Sequence, residues 1–580
     1  MALNADRVLT VDAGTLTIST VISGAYNLTK AGVGTLALSG NNTFGGAGKN
    51  VTLSAGTLTI DHIAALGNAA NTLIINGGAL NATSVMTITN TYPIQINADF
   101  TFIGGNTLSF PAGSTVTLGN DTRTITVSAS TLTFNGIISS GANAYGIIKA
   151  GAGTLVLSGA NTFGGSVTVN AGFLTLSGAN TFGGAGKNVT LNSGTLNINH
   201  ATALGNALNT FIINGGTINS SAAIITLTNN YPVEINGNFI FTGSNNLTFG
   251  SGAVTLNADC FIYTTAGTLA IGGPIGGAHS ITKSGAGALT LSGNNTFSGG
   301  VILELGTLNI GSATALGAEA GTFIINGGTT INVTGATTLS NNHPMQWNGD
   351  FTFTGTNTLA FGTGAVTLGN NCAITASAST LTVGGAISGA YSIIKAGAGT
   401  LVLSNASNTY SAGTTISAGT LNFGSLSAVG NIIFAGGTLQ YASGNTQDIS
   451  ALIKNSASAI AIDTNSNDVI FSNVIDSSNT AGLTKSGSGI LTLSNTNTFT
   501  GAVNFNAGTI NATTIGNLGN GTALTFAGGT LQFNGVFDPS SRTMTFNAGG
   551  ATFDTGANSI TFANSIGNSG TGGLTKSGAG

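Results

Sequence analysis

The sequence predicts an all-β fold: a right-handed parallel β-helix (β-solenoid) with roughly 22 residues per coil and no helical domain. Three observations lead to it. A Lys-x-Gly-x-Gly motif recurs at spacings that change in regular steps. Runs of about five residues alternate polar and apolar side chains. No long stretch carries the 3.6-residue period of an amphipathic helix.

The repeats set the coil length. The motif lysines are Lys30, Lys149, Lys283, Lys395, Lys485 and Lys576, at successive spacings of 119, 134, 112, 90 and 91. From 134 to 112 and from 112 to 90 the step is 22, so blocks grow and shrink by one coil. Ile-Ile-Asn-Gly-Gly keeps the same rhythm at Ile74, Ile212 and Ile324, as does Phe-Ala-Gly-Gly-Thr-Leu-Gln at Phe434 and Phe526. A local duplication, Leu-Ser-Gly-Ala-Asn-Thr-Phe-Gly-Gly, starts at Leu157 and again at Leu176, a shift close to one coil. The chain therefore reads as one continuous solenoid fragment, 1–580. Its blocks are 1–29 (partial), 30–148, 149–282, 283–394, 395–484, 485–575 and 576–580 (truncated). With paired strands ~4.8 Å apart, roughly 26 coils make a rod on the order of 125 Å long.

The strands follow from local pattern. Gly-Thr-Leu-Thr-Ile at 56–60, Gly-Thr-Leu-Asn-Ile at 194–198 and Ala-Leu-Thr-Leu at 288–291 put alternate side chains on opposite faces. Gly, Asn and Ser bound them as turn formers. The crossover rule sets the right-handed coil. Leu, Ile, Val and Phe are expected to fill the bore, with Thr, Ser and Asn coating the outside and forming ladders at turns. The Ala-Ala-Leu-Gly stretch near Ala64 is the best helical candidate and reads as a loop.

Composition narrows the function. The chain has 91 Gly, 6 Pro and 2 Cys, is 5 % charged and 41 % hydrophobic, and carries a net charge of −4. The apolar content argues against disorder, and the absence of a three-residue Gly period argues against collagen. No basic footprint exists for a nucleic acid. No apolar run is long enough to cross a membrane as a helix. The start, MALNADRVLT, lacks the pattern of a secretion signal, so any export signal or anchor is expected outside these residues.

At Lys-x-Gly-x-Gly-Thr-Leu-x-Leu-Ser-x-x-Asn-Thr-Phe the chain resembles the passenger-associated transport repeats of bacterial autotransporters, also called autotransporter-associated β-strand repeats. The matching stretches are Lys30 to Phe44, Lys149 to Phe163, Lys283 to Phe297, Lys395 to Tyr410 and Lys485 to Phe499. The resemblance implies a β-helical passenger carried across the outer membrane of a Gram-negative cell, with an outer-membrane barrel elsewhere in the full-length chain. It also implies repeats that assist secretion or folding within adhesin-like surface proteins.

Few residues offer chemistry, and no catalytic, cofactor-binding or metal site is expected. Cys260 and Cys372 are 112 apart, about five coils or roughly 24 Å, too far for a disulfide. His62 and His200 occupy equivalent places where the next block has Ser312, and read as surface or turn residues. His343 stands before Pro344 where Tyr92 and Tyr231 stand before Pro93 and Pro232, so it reads as a ring packed beside a turn. Trp347 aligns with Ile96 and Ile235 and reads as core, the alternative being a sugar-stacking platform. The six motif lysines, half of the twelve cationic residues, read as solvated corner charges that discourage sideways strand addition. The competing reading, a row of charges for an anionic glycan or cell surface, needs a denser patch. Asp463, Asp468 and Asp476 are the densest carboxylates, with Lys454 the nearest cation. They read as solvated turn residues rather than a Ca²⁺ site or the acid/base pair of a glycan-cleaving enzyme.

The leading expectation is a non-enzymatic extracellular protein, adhesin-like, presenting a repetitive surface to a cell-surface or matrix ligand. Many weak contacts would add by avidity. The alternative is a polymeric structural protein (sheath, filament or surface-layer component) whose copies join end to end through unpaired coil ends. A glycan-active β-helix enzyme ranks last.

Overall fold

In the computed structural model, residues 1–221, 224–426, 429–567 and 569–580 are described. The chain is an all-β parallel β-solenoid of about 26 turns, roughly 22 residues apart. It falls into two compact units, Met1–Gly300 and Val301–Gly580.

In the first unit, strands of two to five residues pair in parallel with strands one turn away. One sheet runs from Arg7–Thr10 to Ile138–Ser139. A second runs from Thr15–Ile18 to Ile275–Gly276, and a third from Met86–Thr87 through Ile281–Ser284. Within the first sheet the register steps Leu28, Val51, Leu73, Ile94, Val116, Ile138, one residue of the series in each turn. The duplicated string forms one short turn of its own, with Leu157 paired to Leu176. Inserting the duplicate therefore adds one complete layer.

The second unit repeats the scheme. Val301, Phe323, Met345, Val366 and Ile387 follow one another in the same parallel register. The tightest turn there pairs Thr420 with Thr438.

Alternation builds the core in both units. Strands such as Arg123–Val127 bury every second residue, so Leu, Ile, Val and Phe point inward and Thr points out. The helical content of the described residues is two single 3₁₀ turns, Ser450–Leu452 and Ile515–Leu518. The stretch near Ala64 is a turn, in which the Ala65 N–H donates to His62 O and the Gly67 N–H to Ala64 O.

Asparagine is found both outside and inside. An exposed ladder stacks Asn170, Asn192, Asn214, Asn236 and Asn257, each side-chain N–H donating to the Oδ1 before it at 2.6–2.8 Å. Asn42, Asn161, Asn180, Asn295, Asn408 and Asn497, by contrast, are buried. The expectation that Asn coats the surface therefore holds for the first set and fails for the second.

Candidate functional site

The recurring motif builds the same side-chain arrangement at several places along the chain. At Lys149, the strand Ile147–Ala150 directs the lysine inward, and its aliphatic stem lies in the core with the residue 0 % exposed. The chain then bends at Gly151 (φ +73°), a conformation that strains any side-chain-bearing residue. The bend turns carbonyls toward the interior, where each needs a donor. The ammonium supplies them, donating to Ala150 O at 2.7 Å, Gly151 O at 2.6 Å and, one turn on, Ala171 O at 3.0 Å. Gly153 is required by proximity, since a Cβ there would sit 2.6 Å from Ser130 O of the preceding turn.

The arrangement recurs. Lys30, Lys283, Lys395 and Lys485 are at most 1 % exposed, and each donates to the carbonyls of the next two residues at 2.7–2.9 Å. Lys30 reaches Ala55 O, Lys395 reaches Ala418 O and Lys485 reaches Ala507 O in the following turn, at 3.0–3.4 Å. Burial pushes Lys149, Lys283, Lys395 and Lys485 down to about 8 from the ordinary 10.5, and lowers Lys30 as well. These five lysines are therefore not solvated corner charges, and they present no row of cations to an anionic ligand. The inward bend offers acceptors that only a long, three-donor side chain can reach. Lys576 alone among the six is exposed, and among the described residues it donates to Gly578 O.

The Asn-Thr-Phe that follows closes a sheet. In the strand Ile138–Ser139, the last of its sheet, the Ile138 N–H donates to Asn161 Oδ1 at 2.9 Å and Ile138 O accepts from the Thr162 N–H. Ile275 with Asn295 and Thr296, and Ile387 with Asn408 and Thr409, repeat this. Phe44, Phe163, Phe182, Phe297, Tyr410 and Phe499 are fully buried beneath these turns. The duplicated pair Phe163 and Phe182 stacks at 4.8 Å. Each repeat also moves one sheet on: the lysine strand lies in the first sheet at Lys30, in the second at Lys149 and in the third at Lys283.

The family model described as passenger-associated-transport-repeat matches residues 28–60, 147–176, 281–310, 393–423 and 483–512. The chain carries passenger-associated transport repeats. The matches that begin at 28, 147, 393 and 483 each contain both the lysine and the residue one turn later whose carbonyl it reaches. The chain is also similar to the Adhesin BmaC autotransporter of Brucella suis biovar 1 (strain 1330), at 30 % identity over 480 residues. That match covers 74 % of this chain and 12 % of the relative. No solved structure matches the chain.

Outside the transport repeats, the remaining candidate side chains are held in turns or in the core. Asp463 accepts from the Asn465 N–H and from Gln440 Nε2, and Asp468 from the Ile490 N–H. Asp476 pairs with Lys454 at 2.6 Å, and that bond together with the Ser478 hydroxyl lowers its pKa to about 2. Among the described residues no group of three or more His, Cys, Asp or Glu is placed to hold a metal ion. His62 and His200 are half-buried and fold back on their own turns, each Nδ1 accepting a backbone N–H two residues on. His343 is buried, with Nδ1 2.9 Å from Gly321 O. Tyr92 and Tyr231 satisfy Gly67 O and Gly205 O in the same manner. Trp347 is fully buried, edge-on to Phe351, and so offers no face to a sugar. Cys260 and Cys372 are buried free thiols, pushed up to about 12 and about 11 by burial.

Sequence reading passed over one surface feature. Thr195, Thr217, Asn238, Ile240, Phe261 and Tyr263 line an open cleft of about 610 Å³ in the first unit. Its lining is uncharged, and Ile240 and Tyr263 are about 40 % exposed. The signal was present in Cys-Phe-Ile-Tyr-Thr at 260–264, where two aromatics sit at outward positions of a strand.

Proposed function

We propose that this chain is part of an autotransporter passenger: a non-enzymatic, adhesin-like β-solenoid on the surface of, or released from, a Gram-negative bacterium. In this reading an outer-membrane barrel lies elsewhere in the full-length chain. The observation that carries it is the recurrence of the transport repeat five times within a parallel β-solenoid. Similarity to an autotransporter adhesin supports it. The solenoid supplies a repeating outer face of Thr, Asn and Ser, and the cleft at Tyr263 adds an uncharged apolar contact. Attachment to a cell or matrix surface then follows from many weak contacts acting together.

The test displays the 580-residue chain on cells through an outer-membrane barrel and counts cells retained on host-cell monolayers and matrix-coated plates. Retention above that of cells displaying the barrel alone is expected. Equal retention on every surface would count against attachment. Release of reducing sugar from glycans by the purified chain would replace the non-enzymatic reading.

A further inference from the structure

We infer that the motif lysine is an inter-coil latch, closed by the docking of the following turn, and that the transport repeats thereby divide the solenoid into segments that open at defined places. For Lys30, Lys149, Lys395 and Lys485, two acceptors belong to the lysine's own bend, whereas the third belongs to the next turn. Ala55, Ala171, Ala418 and Ala507 supply that third carbonyl, and each is followed by a glycine of positive φ: Gly56, Gly172, Gly419 and Gly508.

The glycine makes closure possible. A Cβ on Gly508 would lie 2.3 Å from Gly487 O, 2.5 Å from Gly489 O and 2.7 Å from Lys485 Nζ. One on Gly419 would lie 2.4 Å from both Gly397 O and Gly399 O. The following turn must therefore bring bare backbone against the bend before the ammonium is covered. Lys576 is exposed, donates to Gly578 O and serves as the labelling reference. Closure buries a cation, which is unfavourable unless its donors are satisfied. Docking of the next turn and capture of the ammonium are thus one event. An intermediate that stops between the two turns leaves an uncapped bend and a half-coordinated charge, whereas one that stops elsewhere breaks an ordinary ladder. Opening therefore spares the paired turns of each repeat.

The experiment is amine labelling of the full chain with a succinimidyl acetate reagent, read at each lysine by mass spectrometry. Lys576 is expected to label at least tenfold faster than Lys30, Lys149, Lys395 and Lys485 in the native protein. In Gly508→Ala, Lys485 is expected to label at a rate approaching that of Lys576, with Lys395 unchanged. Gly419→Ala is expected to reverse the two. Native lysines that label as fast as Lys576, or a Gly508→Ala chain in which Lys485 stays as protected as before, would overturn the latch. Should either variant unfold throughout, labelling of the unaltered chain in rising urea decides. The latch requires Lys485 to become reactive together with amide exchange in Val503–Phe505, and reactivity that precedes this exchange would overturn it.

Discussion

Asn180 and Asn214 lie in the same unit, each in a side-chain ladder, and differ in burial. Asn180 is 1 % exposed. Its Oδ1 accepts from the Asn161 N–H at 3.1 Å and from Asn161 Nδ2 at 3.0 Å, while its own Nδ2 donates to Ala203 O at 2.9 Å. Asn180→Ala strands three polar groups where water is excluded. At roughly 1–3 kcal/mol for each unpaired group, less what local relaxation recovers, the cost is on the order of 4 kcal/mol. Asn214 is exposed, donating to Asn192 Oδ1 at 2.6 Å and accepting from Asn236 Nδ2 at 2.7 Å. Water replaces both bonds in Asn214→Ala, and the cost should stay below about 1 kcal/mol. A solenoid of this length does not unfold as a single two-state unit, so the local measure is native-state hydrogen exchange. The Thr181 and Gly183 amides keep their own acceptors, Asn161 O and Phe163 O, in the variant. They should exchange on the order of a thousandfold faster in Asn180→Ala, against less than about tenfold for the Asn214 amide in Asn214→Ala. Comparable changes at the two sites would show that burial is not what sets the worth of an asparagine here.

Further outcomes follow from the same structure. Lys149, Lys283, Lys395 and Lys485 titrate at about 8 when folded and near 10.5 when unfolded, so the unfolded chain holds more protons between those values and stability rises with pH through that window. Urea midpoints should increase from pH 8 to pH 9, where these four lysines outweigh the two buried thiols, whose ordinary value of 9.0 makes them act with the opposite sign; a falling midpoint would refute this. Cys260 and Cys372 should resist a thiol reagent in the native protein and both react after denaturation without reductant; one thiol or none on the denatured chain would contradict free cysteines. Replacing Asp463, Asp468 and Asp476 together by Asn should lower stability by no more than about 1 kcal/mol, mainly through the partly exposed Lys454 pair, and leave attachment intact; loss of attachment would make these carboxylates part of a site. The edge strands Arg7–Thr10 and Leu574–Ser577 are largely exposed and pair on one side only, so the isolated chain should associate as its concentration rises. Analytical ultracentrifugation showing a monomer at every concentration would refute this.

The solenoid was legible because its two governing signals are both written in sequence. Alternation at 56–60 and 194–198 fixes which residues face inward, and the regular steps between lysine spacings fix the turn. The local duplication even identified Leu157 and Leu176 as neighbours. The interior of the motif was not legible. Lys149 looks like a surface residue because the acceptors that stabilise it are backbone carbonyls, which no residue type announces. Asn161 and Asn170 have the same side chain, and only the path of the turn decides that one caps a closing sheet inside while the other stacks outside. Ile138 and Ile275, which end their sheets, stand at unequal distances before Lys149 and Lys283, and that uneven spacing hid their shared role.

Three of the transport repeats end a sheet, at Ile138, Ile275 and Ile387, and the lysine strand moves onto the next sheet from one repeat to the next, so successive blocks need not contain a whole number of turns. A fixed thread would turn any insertion of awkward length into a fault running through every later layer. Here the Asn-Thr-Phe junction absorbs the remainder, and the chain resumes in phase on a neighbouring side. Block length is therefore free to drift by fractions of a turn as well as by whole ones, as the spacings 119 and 134 illustrate. The same drift points the loops of equivalent repeats in different directions: within the first unit Lys30, Lys149 and Lys283 sit on three different sheets. Copies of one local shape are thus dealt around the circumference instead of being lined up along a single edge.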